Sequence, residues 1–167
     1  MRHNSVFLAI VTLGACSAAA QPEPKPGGPA FDPVEFFRGR THGDGQLRVM
    51  MQRPKTMRVD SIGRDDPNGD LVLQQIVNEP GKPPRTRFWH LRKTGPDRYT
   101  GTLTDAAGPV RIDTVGGKIR IRYKGKDHLD FEQWLTPVGP RRIDNRMKVK
   151  RFGIIVAHLD EVITKVD

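Results

Sequence analysis

The chain has 167 residues, room for a single domain, and its 28 Lys and Arg against 19 Asp and Glu give a formal charge of +9. Its one cysteine excludes an internal disulfide or a thiolate metal cluster, and 36% hydrophobic residues allow only a modest core. The 17 glycines and 14 prolines favour many turns over long helices, as all-β folds require.

The chain opens on a basic Met1-Arg2-His3, an apolar run Val6-Phe7-Leu8-Ala9-Ile10-Val11 and then Leu13-Gly14-Ala15-Cys16. A positive start, a short apolar stretch and small residues before a cut make a secretory signal peptide. The Leu-Gly-Ala-Cys ending resembles the lipobox of bacterial lipoproteins. That resemblance implies cleavage before Cys16 and a diacylglycerol on its thiol, the one side chain nucleophilic enough near neutral pH. An ordinary cut after Ala18-Ala19-Ala20 stays open, and either route exports the protein. The apolar run falls well short of the roughly 20 residues a spanning helix needs.

The expected organisation is therefore a signal peptide over 1–15, a tether over 16–30 and one domain over 31–167. Alternating prolines in Gln21-Pro22-Glu23-Pro24-Lys25-Pro26 hold the tether near polyproline II, with a reach of roughly 45 Å at 3.1 Å per residue. The expected location is the bacterial cell envelope, lipid-anchored on the outer membrane and facing the periplasm, which Ser17 after the cysteine permits. Removing the leader takes away only Arg2, so +9 becomes +8. For an exported protein the matching anionic partners are envelope lipids and lipopolysaccharide phosphates. Export and the lack of a nucleic-acid motif argue against nucleic acid. A merely solubilising surface is the alternative.

Phe31-Asp32-Pro33-Val34-Glu35-Phe36-Phe37 carries a capping aspartate, proline at the first helical position and glutamate three residues after the cap. One or two helical turns are expected, ending before Gly39. Strands are expected near 41–52, 55–64, 70–78, 86–93, 97–104, 109–115, 118–124, 128–135, 141–151 and 154–166, separated by turn signals such as Pro67-Asn68-Gly69-Asp70 and Gly116-Gly117. A two-residue loop at Gly116-Gly117 sets Ile112 opposite Ile121 and Asp113 opposite Arg120. Pairing Lys124 with His128 then sets Ile121 opposite Phe131, Tyr123 opposite Leu129 and Arg120 opposite Glu132. Both registers place apolar residues on one face and charges on the other. The strand after Pro140 continues the pattern, with Ile143, Asn145, Met147 and Val149 on one side and Arg142, Asp144, Arg146, Lys148 and Lys150 on the other. An apolar inside and charged outside exclude a membrane-spanning barrel. The expected fold is an all-β, up-and-down antiparallel barrel of about 8–10 strands, its short N-terminal helix plugging one end.

The run from Phe31 through Phe37-x-Gly39-x-Thr41-x-Gly43-x-Gly45 resembles the start of lipocalin-type barrels, with Thr41 standing where those carry tryptophan. A closer resemblance is to an uncharacterised family of bacterial envelope lipoproteins, a domain of unknown function. It is carried by Phe37-x-Gly39-x-Thr41, Trp89-x-Leu91-x-Lys93, Asp97-x-Tyr99-x-Gly101, Phe131-x-x-Trp134, Asn145-Arg146, Phe152-Gly153 and Glu161-Val162. It implies a calycin-like barrel on a lipid anchor and supplies no activity.

Gln133 and Asn145 share the parity of the apolar positions, and a buried amide must find partners or cost about 1–3 kcal/mol. With Ile112, Ile121, Tyr123, Phe131 and Met147 they form the candidate pocket for a small hydrophobic or amphipathic ligand. The alternative is that the two amides bond to each other, to a buried water or to the helix. Lys148, Lys150 and Arg151 have the fewest acids near them and are the candidate anion site, through which the protein could instead dock on lipopolysaccharide, anionic lipid or a partner protein. No two histidines have ligand spacing, so no metal and no cofactor is expected; an inward His158 binding haem is the weak exception. Trp89 and Trp134 read as packing residues. No Gly-x-Ser-x-Gly, paired acids or phosphate loop is present, and the chain is expected not to be an enzyme.

Overall fold

The computed structural model describes residues 31–167, so the expected leader, Cys16 with its diacylglycerol, and tether lie outside the described residues. A short helix α1 (Pro33–Phe37) precedes ten strands: β1 (Gly39–Val49), β2 (Lys55–Asp65), β3 (Leu71–Asn78), β4 (Arg85–Gly95), β5 (Arg98–Leu103), β6 (Val110–Val115), β7 (Lys118–Lys124), β8 (Leu129–Gly139), β9 (Arg142–Arg151) and β10 (Ile154–Lys165). Each strand pairs antiparallel with the next, and β1 pairs with β10 from Thr41↔Lys165 to Val49↔Ala157. The sheet is thus a closed barrel with no free edge, which a row of meandering hairpins needs to avoid edge-to-edge pairing.

The strands form because apolar and polar residues alternate along them. In β3, Leu71, Leu73, Gln75 and Val77 are buried while Gln74 and Ile76 are exposed. Gly116 and Gly117, at φ of 56° and 74°, make the two-residue turn that locks β6 to β7 with Ile112 opposite Ile121 and Asp113 opposite Arg120, as expected. The next hairpin differs. Tyr123 lies opposite Phe131 and Ile121 opposite Gln133, two residues from the expected register. Asp127 and His128 both take left-handed backbone, at φ of 57° and 58°, and the amide of Gly125 bonds the carbonyl of Leu129 at 2.8 Å. A shift of two keeps every side chain on its face, so the inside and outside are unchanged.

The up-and-down order sends α1 and the β2–β3, β4–β5, β6–β7 and β8–β9 turns to one end and the other five turns to the opposite rim. At the helix end the barrel is packed solid: Phe36 and Phe37 join Leu71, Ile112, Ile143 and Ile163 in one core cluster. Each such large apolar side chain contributes about 1.5–3 kcal/mol by leaving water. Asp32 fastens this plug. Its Oδ1 accepts the Val34 amide at 2.9 Å and its Oδ2 accepts Lys93 Nζ at 2.7 Å. Burial opposes the charge on Asp32, yet Lys93 and the Val34 amide together hold its carboxyl below the ordinary value. A Cβ on Gly63 would fall 1.9 Å from the Phe37 carbonyl oxygen, so β2 must be bare where the helix ends. Toward the rim the core thins to a smaller cluster of Met57, Val59, Val77 and Leu159.

The outer wall is a charge ladder. Arg120 meets Glu132 at 2.7 Å, Arg122 meets Asp113 at 2.9 Å and Lys124 meets Asp130 at 2.7 Å. Such a surface does not face lipid tails. Among the described residues no helix is long and apolar enough to cross a membrane.

Candidate functional site

Inside the barrel, between the plug and the rim, lies a cavity of about 310 Å³. That is the low end of the range of small-molecule sites. All seven residues expected to face a ligand, Ile112, Ile121, Tyr123, Phe131, Gln133, Asn145 and Met147, line it. Parity along β6 to β9 brings them there from four consecutive strands.

The lumen also carries polar groups that the sequence reading did not single out. Ser61, Gln75 and Arg87 are cross-strand neighbours on β2, β3 and β4. Gln75 Nε2 donates to Ser61 Oγ at 3.1 Å, and Gln75 Oε1 accepts from Trp89 Nε1 at 2.7 Å and from Arg87 Nε at 2.8 Å. One amide therefore orients both an indole and a guanidinium. Trp89 is a packing residue, as expected, but its N–H is part of this chain. Tyr123 packs edge-on to Trp89 and stacks on Phe131 at 4.6 Å between centroids. Burial pushes the Tyr123 hydroxyl up to about 12, so it stays neutral.

Across the lumen, Asn145 Nδ2 donates to Glu161 Oε2 at 2.7 Å, and Asn145 does not bond Gln133. Asn145 Oδ1 is buried with no hydrogen-bond partner among the described residues. Burial raises the Glu161 carboxyl above its ordinary value, against the smaller opposing pull of Asn145 and Arg87. Glycine makes room for this carboxyl: a Cβ on Gly43 would lie 2.2 Å from Glu161 Oε1, and one on Gly45 2.9 Å from Glu161 Cβ.

The signal for the missed groups is the same parity. Gln75 alternates with Leu71, Leu73 and Val77, Arg87 with Trp89 and Leu91, and Glu161 with Ala157, Leu159 and Ile163.

Outside the barrel mouth an open groove of about 1120 Å³ runs past Arg111, Arg122, Lys126, Lys150 and Phe152 and shares Tyr123 and Phe131 with the lumen. The candidate anion residues lie near it: Lys148 and Lys150 point outward on β9, and Arg151 ends that strand with its guanidinium 5.4 Å from the Phe152 ring centroid. Lys150 faces the groove, whereas Lys148 sits opposite Glu132. His158 is exposed on the outer wall, so it does not reach the lumen. At the plugged end Asp66, Asp70 and His90 bring ligand atoms within 4.8 Å of one another. Arg92 Nε already occupies Asp70 Oδ2 at 2.7 Å, and Asp66 Oδ1 accepts the amides of Asn68 and Asp70 at 2.8 and 3.0 Å. The trio is satisfied as a turn.

A closed up-and-down barrel, plugged by a helix at one end and hollow within, is a calycin-like barrel. The chain belongs to the family described as "Protein of unknown function (DUF3833)", whose model matches residues 10–165. No curated protein matches it. Among solved structures it is similar to the S-type phycobiliprotein lyase CPES from Guillardia theta, with a TM-score of 0.64, 7% identity and coverage of 80% of this chain and 90% of that one. It is also similar to a protein of unknown function from the DUF3598 family of Nostoc punctiforme, with a TM-score of 0.63 and 12% identity over 83% of this chain but only 51% of that one. A third likeness is to Rv2717c from M. tuberculosis, with a TM-score of 0.50 and 12% identity over 84% of this chain and 99% of that one.

The expectation that the chain is not an enzyme is overturned by the first of these likenesses. That neighbour is a lyase on the same kind of barrel, so a missing catalytic motif does not separate binders from enzymes in this fold.

Proposed function

We propose that this protein binds a small hydrophobic or amphipathic ligand inside its barrel at the cell envelope. The observation that carries the proposal is the 310 Å³ lumen, apolar along most of its wall yet holding Gln75, Arg87, Asn145 and Glu161. An apolar cavity with a few fixed polar groups orients a molecule with a greasy body and a polar end. Ile112, Ile121, Tyr123, Phe131, Gln133 and Met147 supply its contact surface together with Asn145. That a lyase shares the fold supports small-ligand binding in such barrels generally. The lipobox-like Leu13–Cys16 supports a diacylglycerol anchor on Cys16, with residues 16–30 as the spacer that holds the barrel off an outer membrane, facing the periplasm.

The test is native mass spectrometry of the gently purified protein. A retained small hydrophobe that is lost in Leu159→Trp, which fills the lumen, is the expected result. A bare protein that also ignores added hydrophobes overturns the proposal.

The rim favours a second, compatible role on an anionic lipid surface. Met50, Met51, Phe152 and Ile154 are 53%, 99%, 72% and 63% exposed. The pairing of β1 with β10 brings them together, the Met50 amide bonding the Val156 carbonyl at 2.9 Å. Among the described residues Arg53, Lys126, Lys148, Lys150 and Arg151 have no carboxylate within 4.0 Å. Apolar tips ringed by free cations fit an interface between phosphates and acyl chains. Lys148, Lys150 and Arg151 are the proposed anion contacts.

A further inference from the structure

We propose that the ligand of this barrel is a single-chain amphiphile with an oxyanion head, a carboxylate in the simplest case, seated on the terminal guanidinium nitrogens of Arg87. This rests on the lumen being a binding site and names the class of molecule it takes.

Arg87 lies on the wall of the cavity with its side chain only 20% exposed. A guanidinium has five N–H donors in a fixed plane. Arg87 spends one, its Nε, on a neutral amide oxygen, Gln75 Oε1. The nearest carboxylate oxygen, Asp105 Oδ2, is 4.0 Å from Nη1, beyond hydrogen-bond distance, and it already accepts Arg85 Nη1 at 2.8 Å. Among the described residues, then, the two terminal nitrogens have no acceptor. An oxyanion in the cavity that takes both nitrogens at once makes the charge-assisted, bidentate pair that this fork geometry favours.

The other titratable groups around the lumen do not supply that negative charge, Glu79 being taken up by Lys55 and Lys82 at 2.9 Å each. Burial favours the neutral acid on Glu161 and the neutral phenol on Tyr123. Arg85 balances Asp105 at the mouth. Burial also pulls the Arg87 guanidinium below its ordinary value, against the opposing pull of Tyr123 and Asp105. What remains is one fixed positive charge, held in orientation by Gln75, which is itself bonded to Ser61 and Trp89.

Most of the remaining lining is apolar, with Leu47, Val59, Met147 and Leu159 among it, and accepts a hydrocarbon chain. At about 30 Å³ per water-sized group, the cavity volume holds roughly ten such groups. A ten-carbon chain is therefore the natural probe.

The experiment is isothermal titration of the full chain with decanoate, decan-1-ol and acetate, repeated in Arg87→Met and Arg87→Lys. Wild type should bind decanoate at least tenfold more tightly than decanol. That preference should vanish in Arg87→Met and partly return in Arg87→Lys. The comparison within wild type needs no variant to fold. Equal affinity for decanoate and decanol overturns this inference and leaves the lumen reading standing. Entry of neither overturns both. Acetate binding as tightly as decanoate overturns the amphiphile in favour of a simple anion site.

Discussion

Glu161 is a carboxyl placed where its charge is unwelcome. It is 9% exposed, receives one hydrogen bond from Asn145, and burial raises it above its ordinary 4.5. A group raised in the folded state supports the fold fully below its unfolded value, and that support is lost as pH climbs through the folded value. Glu161→Gln keeps the shape without the charge. Its melting temperature should equal that of wild type near pH 4 and exceed it by several degrees near pH 8; equal curves throughout would mean the carboxylate is compensated. Gln75 works the other way, since it satisfies three neighbours. Gln75→Leu leaves Trp89 Nε1 and Arg87 Nε without acceptors and should cost about 1–3 kcal/mol for each group left bare, read by urea denaturation. An unchanged midpoint would show that neither donor depends on it. The same residues mark how far the sequence could be read. Gln133 and Asn145 were legible because they interrupt apolar rows in strands whose register could be worked out. Gln75, Arg87 and Glu161 interrupt rows too, but Arg85-Thr86-Arg87 reads as a solvated basic run, and because Arg85 shares the parity of Arg87, Trp89 and Leu91, alternation alone does not single out Arg87.

The short helix is the element on which the shape of the cavity depends, because it closes one end. Asp32 both caps it and meets Lys93, and Lys165 Nζ donates to the Phe36 carbonyl at 3.1 Å. Losing a cap costs about 1 kcal/mol, and the half-exposed Lys93 pair adds little. Asp32→Ala should therefore lower global stability by about 1–2 kcal/mol and speed hydrogen exchange at the Phe36 and Arg38 amides far more than at β8 and β9. Uniform exchange would mean that plug and wall open as one unit. The helix was legible from Asp32-Pro33 because capping is a local matter. The β7–β8 register was not, because it depends on left-handed backbone at Asp127 and His128, two residues with little intrinsic need for it, and on Ala106 bridging to Gly125 from another hairpin. Strand existence and facing follow from alternation within a strand; the offset between two strands is set by the loop and its distant neighbours.

At the scale of the molecule, closure and charge act together. Because β1 meets β10, the first and last hairpin turns stand side by side at the rim and place Met51 and Phe152 on one edge of the barrel mouth, beside the basic groove. Neither turn suggests a surface alone. Met51 and Phe152 are both held at positive φ, 62° and 51°, which keeps the two side chains on turns rather than in the wall. Were this edge a solvated surface, its apolar tips and its cations would be independent of one another. On the proposed anionic bilayer they would be coupled: the cations would draw the rim to the phosphates and the tips would enter between headgroups. A cation near such a surface is worth about 1 kcal/mol, so losing two should cost roughly thirtyfold in partitioning and reversing them more. With Cys16→Ser removing any acyl anchor, the chain should float with vesicles rich in phosphatidylglycerol, release as salt rises, and ignore phosphatidylcholine. Lys150→Glu with Arg151→Glu should abolish flotation, while Met51→Ser with Phe152→Ser should weaken it and make what remains fully reversible by salt. Flotation that ignores both pairs of changes, or that persists on neutral vesicles, would detach the rim from the membrane and leave the lumen to be filled from solution.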